Sequence, residues 1–353
     1  MVVYGATGFT GRLVCAELAR RKASFAIAGR DPEKLGALAA SAGGPEVIRA
    51  PLDDAAALVK MAGRARVVLD CAGPFARLGK PVQDAALAAG AHFLDITGEA
   101  VFLGASWARS NEAKERGVAI VNAVGFDVVP TDCAAVIAAE GAGAPVESVR
   151  IAFMAMGARA TQGTTRSAFE AAHMGGAAFV GGRIQRERVA QYRWRVPFPE
   201  PAGTREAISI PWGDIVTAPR STGAKNVRTF VAVPKRLLRV APVVARLRVL
   251  LKLPGAKALG ERWIRRQPEG PTPEERARAV TAVHAEATGA KGVASVWALT
   301  VDGYDFTARS AVHCALLAAD PAFDKRGTLT PSQAFGAKAL LDALAKSWGS
   351  TPA

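Results

Sequence analysis

The sequence is poor in cysteine, in aromatic residues and in long apolar runs. Its 353 residues include four cysteines, three tyrosines and 7% aromatic residues. The cysteines stand far apart and form no Cys-x-x-Cys pair, which argues against a zinc ribbon or a disulfide scaffold and favours free thiols in a reducing compartment. No run of 18 apolar residues occurs and no charged-then-apolar leader opens the chain, so we expect a cytoplasmic protein rather than a secretory or membrane-spanning one.

Acidic residues are scarce in one part of the chain only. The formal net charge is +14, and residues 183–280 contain 21 Lys or Arg against 8 Asp or Glu, which leaves a net charge of +13 in that segment. A uniformly basic nucleic-acid-binding protein would carry its charge more evenly and would show a binding motif. We therefore expect no nucleic-acid partner.

The centre of this basic segment, residues 234–254, mixes arginine and lysine with leucine and valine. Pro242 interrupts the stretch, so one straight helix is not expected. Two interpretations remain open. The stretch contacts an apolar or anionic partner, which would be an acyl chain or, peripherally, the inner face of a membrane. Alternatively, it forms surface helices whose arginines extend into solvent.

A glycine-rich turn stands between a short apolar strand and a helix-like stretch at the start of the chain. In that context Gly5 allows a tight turn, Gly8 lets a pyrophosphate approach the backbone, and Gly11 lets the helix lie close to the strand. The N–H groups at the helix start attract phosphate. The alternative is an ordinary glycine-rich turn. The predicted cofactor-binding residues of this loop are Gly5, Ala6, Thr7, Gly8, Phe9, Thr10 and Gly11.

The second predicted strand, residues 25–29, ends at Arg30, about 20 residues beyond the glycine loop. NAD sites usually place an acidic residue there to bind the ribose 2′-hydroxyl, whereas a guanidinium suits a 2′-phosphate. Arg30 therefore favours NADP(H) over NAD(H). In the alternative, Arg30 is solvated and Asp31 caps the next helix, and the two interpretations do not exclude each other.

The alternation of strands and helices continues through residue 122. A third strand over 47–52 leads to Asp53 and Asp54, which either meet the adenine edge or cap the following helix. A fourth strand over 67–70 delivers Cys71, Ala72, Gly73 and Pro74 at its carboxyl end, where a doubly wound sheet holds the nicotinamide ribose. Two more strands, over 93–96 and 119–122, complete a six-stranded parallel pattern with right-handed crossovers.

Three other classes of oxidoreductase can be tested directly. Short-chain dehydrogenases need Tyr-x-x-x-Lys, and no tyrosine here is followed by lysine at that spacing. Medium-chain zinc enzymes place Cys and His ligands before the nucleotide domain, so we predict no metal site. Aldehyde-forming acyl reductases need a cysteine nucleophile. Cys133 is the candidate for that role, and its alternative is a small buried residue on an alanine-rich helix.

Several phrases of the sequence, taken in order, resemble one family. They are YGATGFTG (4–11), CAGPF (71–75), GKPV (79–82), DITGE (95–99) and GFDVVPTD (125–132). Together they are similar to the saccharopine dehydrogenase-like oxidoreductases, and within these to the branch that includes the mycobacterial trans-acting enoyl reductases. The first half of the chain carries the resemblance densely, and residues 150–265 carry it only loosely.

The resemblance implies an α/β protein with an N-terminal, doubly wound Rossmann domain that binds NADP(H) and a second, α+β substrate domain. We place the Rossmann domain at residues 1–130 and the substrate domain, with the basic segment 183–280, at residues 131–310. Residues 311–353 are expected to return to the first domain as helices. By position, the resemblance also assigns the phosphate loop and the nicotinamide-side turn to the residues named above.

The predicted function is the NADPH-dependent reduction of an apolar acyl or polyketide-type enoyl substrate, free or held by a carrier protein. Such a reaction needs a hydrogen-bond donor for the substrate oxygen and a proton source. Tyr304 is a candidate donor, while Glu99 and Asp127, just beyond strand ends, either take part in the chemistry or hold loops. A saccharopine-type amino-acid reductase and a non-catalytic NADP-binding protein at a membrane remain alternatives. The oligomeric state is left open, with a dimer as one option.

Overall fold

The chain divides into two compact units in the computed structural model. The first unit comprises Met1–Val129 and Tyr304–Phe335, and the second comprises Pro130–Gly303 and Gly336–Ala353. Both units are therefore discontinuous: residues 130–303 of the second separate the two parts of the first, and residues 304–335 of the first separate the two parts of the second. The structure describes residues 1–157, 159–167, 175–233, 255–351 and 353.

The first part of the chain alternates short apolar strands with helices. The strands are β1 (Val2–Tyr4), β2 (Ala26–Gly29), β3 (Glu46–Arg49), β4 (Val67–Asp70), β5 (His92–Asp95) and β6 (Ala119–Val121). The helices are α1 (Phe9–Arg20), α2 (Pro32–Ser41), α3 (Ala55–Ala62), α4 (Phe75–Ala88), α5 (Ala100–Ala108) and α6 (Ser110–Glu115). All six strands predicted from the sequence are present.

Local chemistry explains where two of these helices begin. The Asp31 side chain accepts a hydrogen bond from the N–H of Lys34 at 3.1 Å, and the Asp54 side chain accepts one from the N–H of Ala57 at 2.9 Å. Each carboxylate satisfies an N–H that the first helical turn leaves without a partner. Asp31 therefore caps α2, and Asp54, rather than Asp53, caps α3.

The middle of the chain forms the larger part of the second unit. Its strands are β7 (Ser148–Met156), β8 (Gly176–Val180), β9 (Arg183–Glu187), β10 (Arg193–Pro197), β11 (Thr204–Ile210), β12 (Asn226–Ala232), β13 (Val280–Gly289) and β14 (Gly292–Val301). Its helices are α7 (Val129–Ala142), α8 (Asp214–Thr222), α9 (Ala256–Arg266) and α10 (Pro273–Arg278). The chain ends with α11 (Gly303–Ala319), β15 (Gly327–Leu329), α12 (Pro331–Phe335), α13 (Ala337–Leu344) and β16 (Ser347–Thr351).

The sheet of the first unit has seven parallel strands in the order β15-β6-β5-β4-β1-β2-β3. β4 and β5 are buried along their whole length, as expected where helices cover both faces of a parallel sheet. The strand order reverses between β1 and β4, which is where such folds bind nucleotides. The prediction of a doubly wound parallel sheet is confirmed.

The sheet of the second unit has nine strands, and the main path runs β10-β11-β12-β7-β13-β14-β16. β12 pairs with β7 in parallel, and the other neighbours on this path are antiparallel, so the unit is α+β as predicted. In β10, Trp194 and Val196 are buried while the intervening arginines are exposed. Part of the positive charge of segment 183–280 therefore lies on the solvent-facing side of strands.

The unit boundaries differ from the predicted ones after residue 303. Helix α11 belongs to the first unit, where Ser310 Oγ donates to the carbonyl of Val124 at 2.8 Å, and β15 extends the sheet beside β6. Residues 336–353 do not return to the first unit as helices. They belong to the second unit, because β16 pairs with β14.

Two further sequence-based expectations concern the basic stretch and membrane-spanning helices. The basic stretch 234–254 lies outside the described residues. In the ranges that are described, no helix combines the length and the apolar character that crossing a bilayer requires.

Two buried histidines make a testable contribution to stability. Burial lowers the pKa of His92 and of His284 to about 4 in each case, and the Nδ1 of His92 accepts a hydrogen bond from Ala119 N–H at 3.0 Å. Because an unfolded histidine titrates near 6.5, the unfolded state binds the extra protons between about pH 6.5 and 4. The free energy of unfolding should therefore fall as the pH is lowered through this window, by up to ~3 kcal/mol per histidine.

The measurement is urea denaturation of the wild type and of His284→Phe at pH 7.5 and pH 5. We expect the variant to lose less stability between the two values. The comparison between proteins is the test, because Asp95 and Asp127 have raised pKa values and change stability in the opposite direction. Equal losses in both proteins would contradict the prediction.

Candidate functional site

The loop between β1 and α1 is a tight turn that only glycine can form at two positions. Gly5 has a φ of +73°, and a Cβ there would lie 2.8 Å from both the N and the Cβ of Ala72. A Cβ on Gly11 would overlap the carbonyl oxygen of Gly5. Gly5 thus lets the turn pass beside the chain that follows β4, and Gly11 lets α1 pack against the turn.

Gly8 has a different role from these two glycines. It precedes α1 in an extended conformation, with φ −70° and ψ 165°, and no side chain caps the helix. Within 4 Å, a Cβ at this position would meet only the Gly5 oxygen, at 3.4 Å. The fold does not require glycine at position 8, and the absence of a side chain there lets a phosphate approach the start of α1. The loop therefore fits the pyrophosphate of a dinucleotide.

The turn after β4 lies directly against this loop. The N–H of Cys71 donates to the carbonyl of Tyr4 at 2.9 Å, and the N–H of Ala72 donates to Asp70 Oδ1 at 2.8 Å. Gly73 and Pro74 complete the turn, and Pro74 is the residue that precedes α4. The predicted phosphate loop and the predicted nicotinamide-side turn therefore meet where the strand order reverses.

The surroundings of Cys71 and Cys133 do not favour a thiolate. Burial, with the nearby carboxyl of Asp70 as a second cause, raises the pKa of the Cys71 thiol well above the ordinary value. Cys133, the candidate nucleophile of the sequence analysis, is fully buried in α7. Neither cysteine meets the exposed, electropositive surroundings that activate a thiolate.

The residues predicted to hold the adenosine end lie at the carboxyl ends of β2 and β3. Arg30 and Asp53 are both exposed there, and the charge of each shifts the pKa of the Tyr4 hydroxyl. Burial raises the pKa of Tyr4 to about 12; Asp70 and Asp53 add to the rise, and Arg30 opposes it. Asp31 already serves as the cap of α2, which leaves the exposed guanidinium of Arg30 at the position that distinguishes the two cofactors.

The sequence-based reasoning missed two further cations next to this end of the site. Arg12 Nη1 donates to the carbonyl of Thr7 at 2.8 Å, and Arg12 and Lys34 both line a recess of about 330 Å³ between the phosphate loop and α2. Arg12 could have been identified from the sequence, because it immediately follows Gly11, the last glycine of the loop. A larger recess of about 410 Å³ lies around Met1 and Glu46, at the amino ends of the strands and away from the loop.

Glu99 holds the nicotinamide-side turn in place. Its carboxylate accepts hydrogen bonds from the N–H groups of Phe75 at 3.0 Å and Ala76 at 2.9 Å, in the first turn of α4. A negative charge at a helix N-terminus is favourable, and two backbone donors fix its direction. The loop-holding interpretation of Glu99 therefore has direct geometric support.

Asp95 connects the ends of two neighbouring strands. Its Oδ1 accepts from the N–H groups of Thr97 and Ala123, both at 2.9 Å, and its Oδ2 accepts from Asn122 Nδ2 at 2.5 Å. Ala123 adopts a φ of +60°, a conformation that non-glycine residues rarely take. Burial raises the pKa of Asp95 to about 6. This carboxyl joins the loop that carries Glu99 to the loop that carries Asp127.

Asp127 is a carboxylic acid whose pKa is raised to near neutral pH. It is half-buried, and its Oδ2 lies where a Cβ on Gly98 would have to stand. Burial raises the pKa of Asp127 to about 7, and the charge of Glu99 contributes to the rise. A carboxyl with this pKa holds a proton in a substantial fraction of molecules at neutral pH and can give it up.

Tyr304 lies against the phosphate loop. It stands in the first turn of α11, and its ring centroid is 5.4 Å from that of Phe9 in an edge-on arrangement. Thr307 in the next turn accepts a hydrogen bond from Phe126 N–H at 3.0 Å, which fixes the start of α11 over the loop after β6. The predicted cofactor residues, Glu99, Asp127 and Tyr304 all lie in the first unit, whereas Cys133 lies in the second. Among the described residues, no three His, Cys, Asp or Glu side chains are grouped as metal ligands would be.

The comparison with protein families identifies the first part of this unit. The family described as "Saccharopine dehydrogenase NADP binding domain" matches residues 1–121. These residues belong to that family. The NADP-binding domain thus contains the phosphate loop, Arg30, the turn after β4 and Glu99, and the prediction of NADP(H) as cofactor is confirmed.

Relatives and solved structures agree with this assignment. This chain is 38% identical over 151 aligned residues to a mouse saccharopine dehydrogenase-like oxidoreductase, covering 37% of this chain and 35% of the relative. It is 40% identical over 139 residues to a trans-acting enoyl reductase of Mycobacterium ulcerans, covering 37% and 33%. The chain thus matches about a third of the length of these relatives.

One solved structure shares the fold of the whole chain. Apo saccharopine dehydrogenase (L-Glu forming) from Saccharomyces cerevisiae aligns over 99% of each chain with a TM-score of 0.66 and 12% identity. At that identity the likeness shows the fold alone. It extends the similarity from the NADP-binding domain to the α+β unit that follows it.

Proposed function

We propose that this chain is an NADPH-dependent reductase in which Asp127 supplies the proton. The observation that carries the proposal is the position of the Asp127 carboxyl on the loop after β6, where it packs against Gly98 in the unit that contains the NADP-binding domain. Burial there raises the pKa of Asp127 to about 7. NADPH, when bound, supplies the hydride for such a reaction. The match to an NADP-binding domain and the names of the relatives support oxidoreduction as the class of reaction.

Residues of this chain are assigned the binding of the cofactor and the transfer of the proton. The open start of α1 beside Gly8 binds the pyrophosphate, and Arg30, with Lys34 near it, meets the 2′-phosphate. Glu99 fixes the turn over which the nicotinamide ribose lies. Asp127 holds a proton on its carboxyl until the substrate carbon accepts it, and Asp95 keeps the two carboxyl-bearing loops together.

Tyr304 is proposed to close the phosphate end of the site rather than to polarise the substrate. Its ring packs on Phe9, the first residue of α1, so its position is set by the loop that binds the pyrophosphate. The hydroxyl of a tyrosine in that position is suited to a phosphate oxygen. This differs from the sequence-based expectation of an oxyanion donor.

The proposed substrate is an apolar acyl chain with a conjugated double bond. Its support is the name of the mycobacterial relatives, trans-acting enoyl reductase, together with the 40% identity over 139 residues that this chain shares with them. The test is NADPH oxidation by the purified protein with 2-enoyl thioesters of increasing chain length. A parallel arm supplies an amino acid with a 2-oxo acid. Turnover only in the second arm would replace the acyl substrate with the saccharopine-type alternative, and no turnover in either would contradict both.

The cofactor preference gives a separate prediction. If Arg30 binds the 2′-phosphate, NADPH should bind at least tenfold tighter than NADH, a difference of about 1.4 kcal/mol. Arg30→Asp should remove the preference by weakening NADPH binding. Isothermal titration with both cofactors measures it, and Lys22→Asp, the same charge change at another exposed position, should leave the ratio unchanged. Equal affinities in the wild type would contradict the role of Arg30.

A further inference from the structure

Helix α9 carries an exposed stripe made of large apolar and arginine side chains. Leu259 is 71% exposed and Trp263 is 57% exposed. Arg262 and Arg266 are also exposed, and the four residues follow the i, i+3, i+4, i+7 spacing of one helix face. Arg265 is exposed beside the stripe, and no acidic residue falls on it.

The opposite face of α9 is attached to the second unit. Ile264 is only 1% exposed, and Glu261 forms an ion pair with Arg166 at 3.1 Å. Just after the helix, Gln162 Nε2 donates to the carbonyl of Gln267 at 2.6 Å. These contacts fix which side of the helix faces outward. Leu259 and Trp263 are therefore presented to solvent by a helix that already has its own buried face.

We propose that this stripe docks the protein on an anionic phospholipid surface. Tryptophan places its apolar ring and its polar N–H at the boundary between acyl chains and headgroups, and leucine adds apolar area beside it. Arginines at i+3 and i+7 pair with headgroup phosphates while their stems cover apolar surface. An 11-residue helix is too short to span a bilayer, so it lies in the plane of the interface.

The charge of the surrounding chain matches this partner. Residues 183–280 carry a net charge of +13, and the basic stretch 234–254 directly precedes the helix in the sequence. Anionic lipids attract such segments over about one Debye length, roughly 8 Å at physiological ionic strength. The positive charge attracts the protein to an anionic membrane. Leu259 and Trp263 then favour a membrane, which has an apolar interior, over a polyanion that is polar throughout.

The first experiment is co-sedimentation of the full chain with vesicles of phosphatidylcholine, with and without phosphatidylserine. We expect binding to the anionic vesicles, little binding to the neutral ones, and release by salt. Failure to bind the anionic vesicles at low salt would overturn the proposal, as would equal binding to both kinds. Binding to heparin without binding to vesicles would overturn it in favour of an acidic polymer.

Removing the arginines tests the electrostatic half. Each near-surface arginine contributes roughly fivefold to partitioning, so replacing three of them by glutamine should weaken binding by about a hundredfold. The triple variant is Arg262→Gln, Arg265→Gln and Arg266→Gln. The matched control removes the same charge from three exposed lysines elsewhere, Lys22, Lys325 and Lys338, and should bind almost as the wild type does.

Removing the apolar pair tests the other half. Leu259→Ser with Trp263→Ser should weaken vesicle binding by at least tenfold at unchanged charge. The control Ile184→Ser with Val293→Ser removes two apolar side chains of similar exposure from other elements and should have no effect. NADPH affinity should be unchanged in all four variants, which separates this result from the proposed reaction. Wild-type binding in both test variants would overturn the assignment to α9.

Discussion

Gly8→Val is expected to weaken NADPH binding by roughly a thousandfold or more, about 4 kcal/mol, without unfolding the protein. The fold tolerates a side chain at this position because a Cβ would contact only the Gly5 oxygen, at 3.4 Å, and because the extended backbone suits valine. The added methyl groups instead stand over the open N–H groups of α1, in the space of the pyrophosphate. Isothermal titration measures the affinity, and circular dichroism verifies the fold.

Two other glycines serve as controls for this result. A Cβ on Gly104, in α5, would meet nothing within 4 Å, so Gly104→Val should keep the NADPH affinity. Gly11→Val introduces an overlap with the Gly5 oxygen and should destabilise the protein itself. If Gly8→Val keeps its affinity for NADPH, the phosphate site lies elsewhere.

Asp127→Asn is expected to lower kcat by a factor of about 10²–10⁴, the range typical of a lost general acid. In the wild type, the protonated fraction of Asp127 falls as the pH rises through its pKa of about 7, so kcat should fall over the same range. Asparagine does not titrate, and the residual activity of the variant should be independent of pH there. Steady-state rates under saturating NADPH measure both effects.

The charge of Glu99 offers an internal check on this assignment. Because that charge helps to raise the pKa of Asp127, Glu99→Gln should move the fall in kcat to lower pH. A merely structural role of Asp127 would not produce such a shift. NADPH affinity in Asp127→Asn should stay close to that of the wild type. A kcat that keeps its value and its pH dependence in Asp127→Asn would contradict the role of proton donor.

The NADP-binding domain could be predicted from sequence because its signals are local. Four of its strands, β1, β2, β4 and β5, are short, largely apolar runs that end at or just before a glycine or an aspartate, and the glycine loop directly follows the first of them. Asp31 and Asp54 cap the helices that they precede. The sequence also placed Glu99 and Asp127 just beyond strand ends. The contact of Glu99 with Phe75 and that of Asp127 with Gly98 distinguish the carboxyl that holds a loop from the other one. The spacing of residues in the sequence does not reveal these contacts.

The second unit was predicted less completely because its strands are amphipathic and rich in arginine. β7 and β14 are largely apolar, whereas segments such as β10 contributed only to the count of positive charge. Alternating arginine with tryptophan or valine is the pattern of a half-exposed antiparallel strand. The three-residue strand β15 carries no periodicity at all. Its place beside β6 depends on α11, which packs through Ser310 on the loop after β6.

The interleaving of the two units along the chain sets the order in which the protein can be completed during synthesis. When residue 129 leaves the ribosome, the nucleotide-binding sheet has six strands, and β6 is an open edge. Its last strand and the helix bearing Tyr304 are translated only after residues 130–303, the larger part of the second unit. A fragment that ends at Val129 should consequently aggregate or bind NADPH poorly, although it contains the entire glycine loop. Nascent chains of this protein then need either protection of that edge or rapid folding of residues 130–303 before the cofactor can bind.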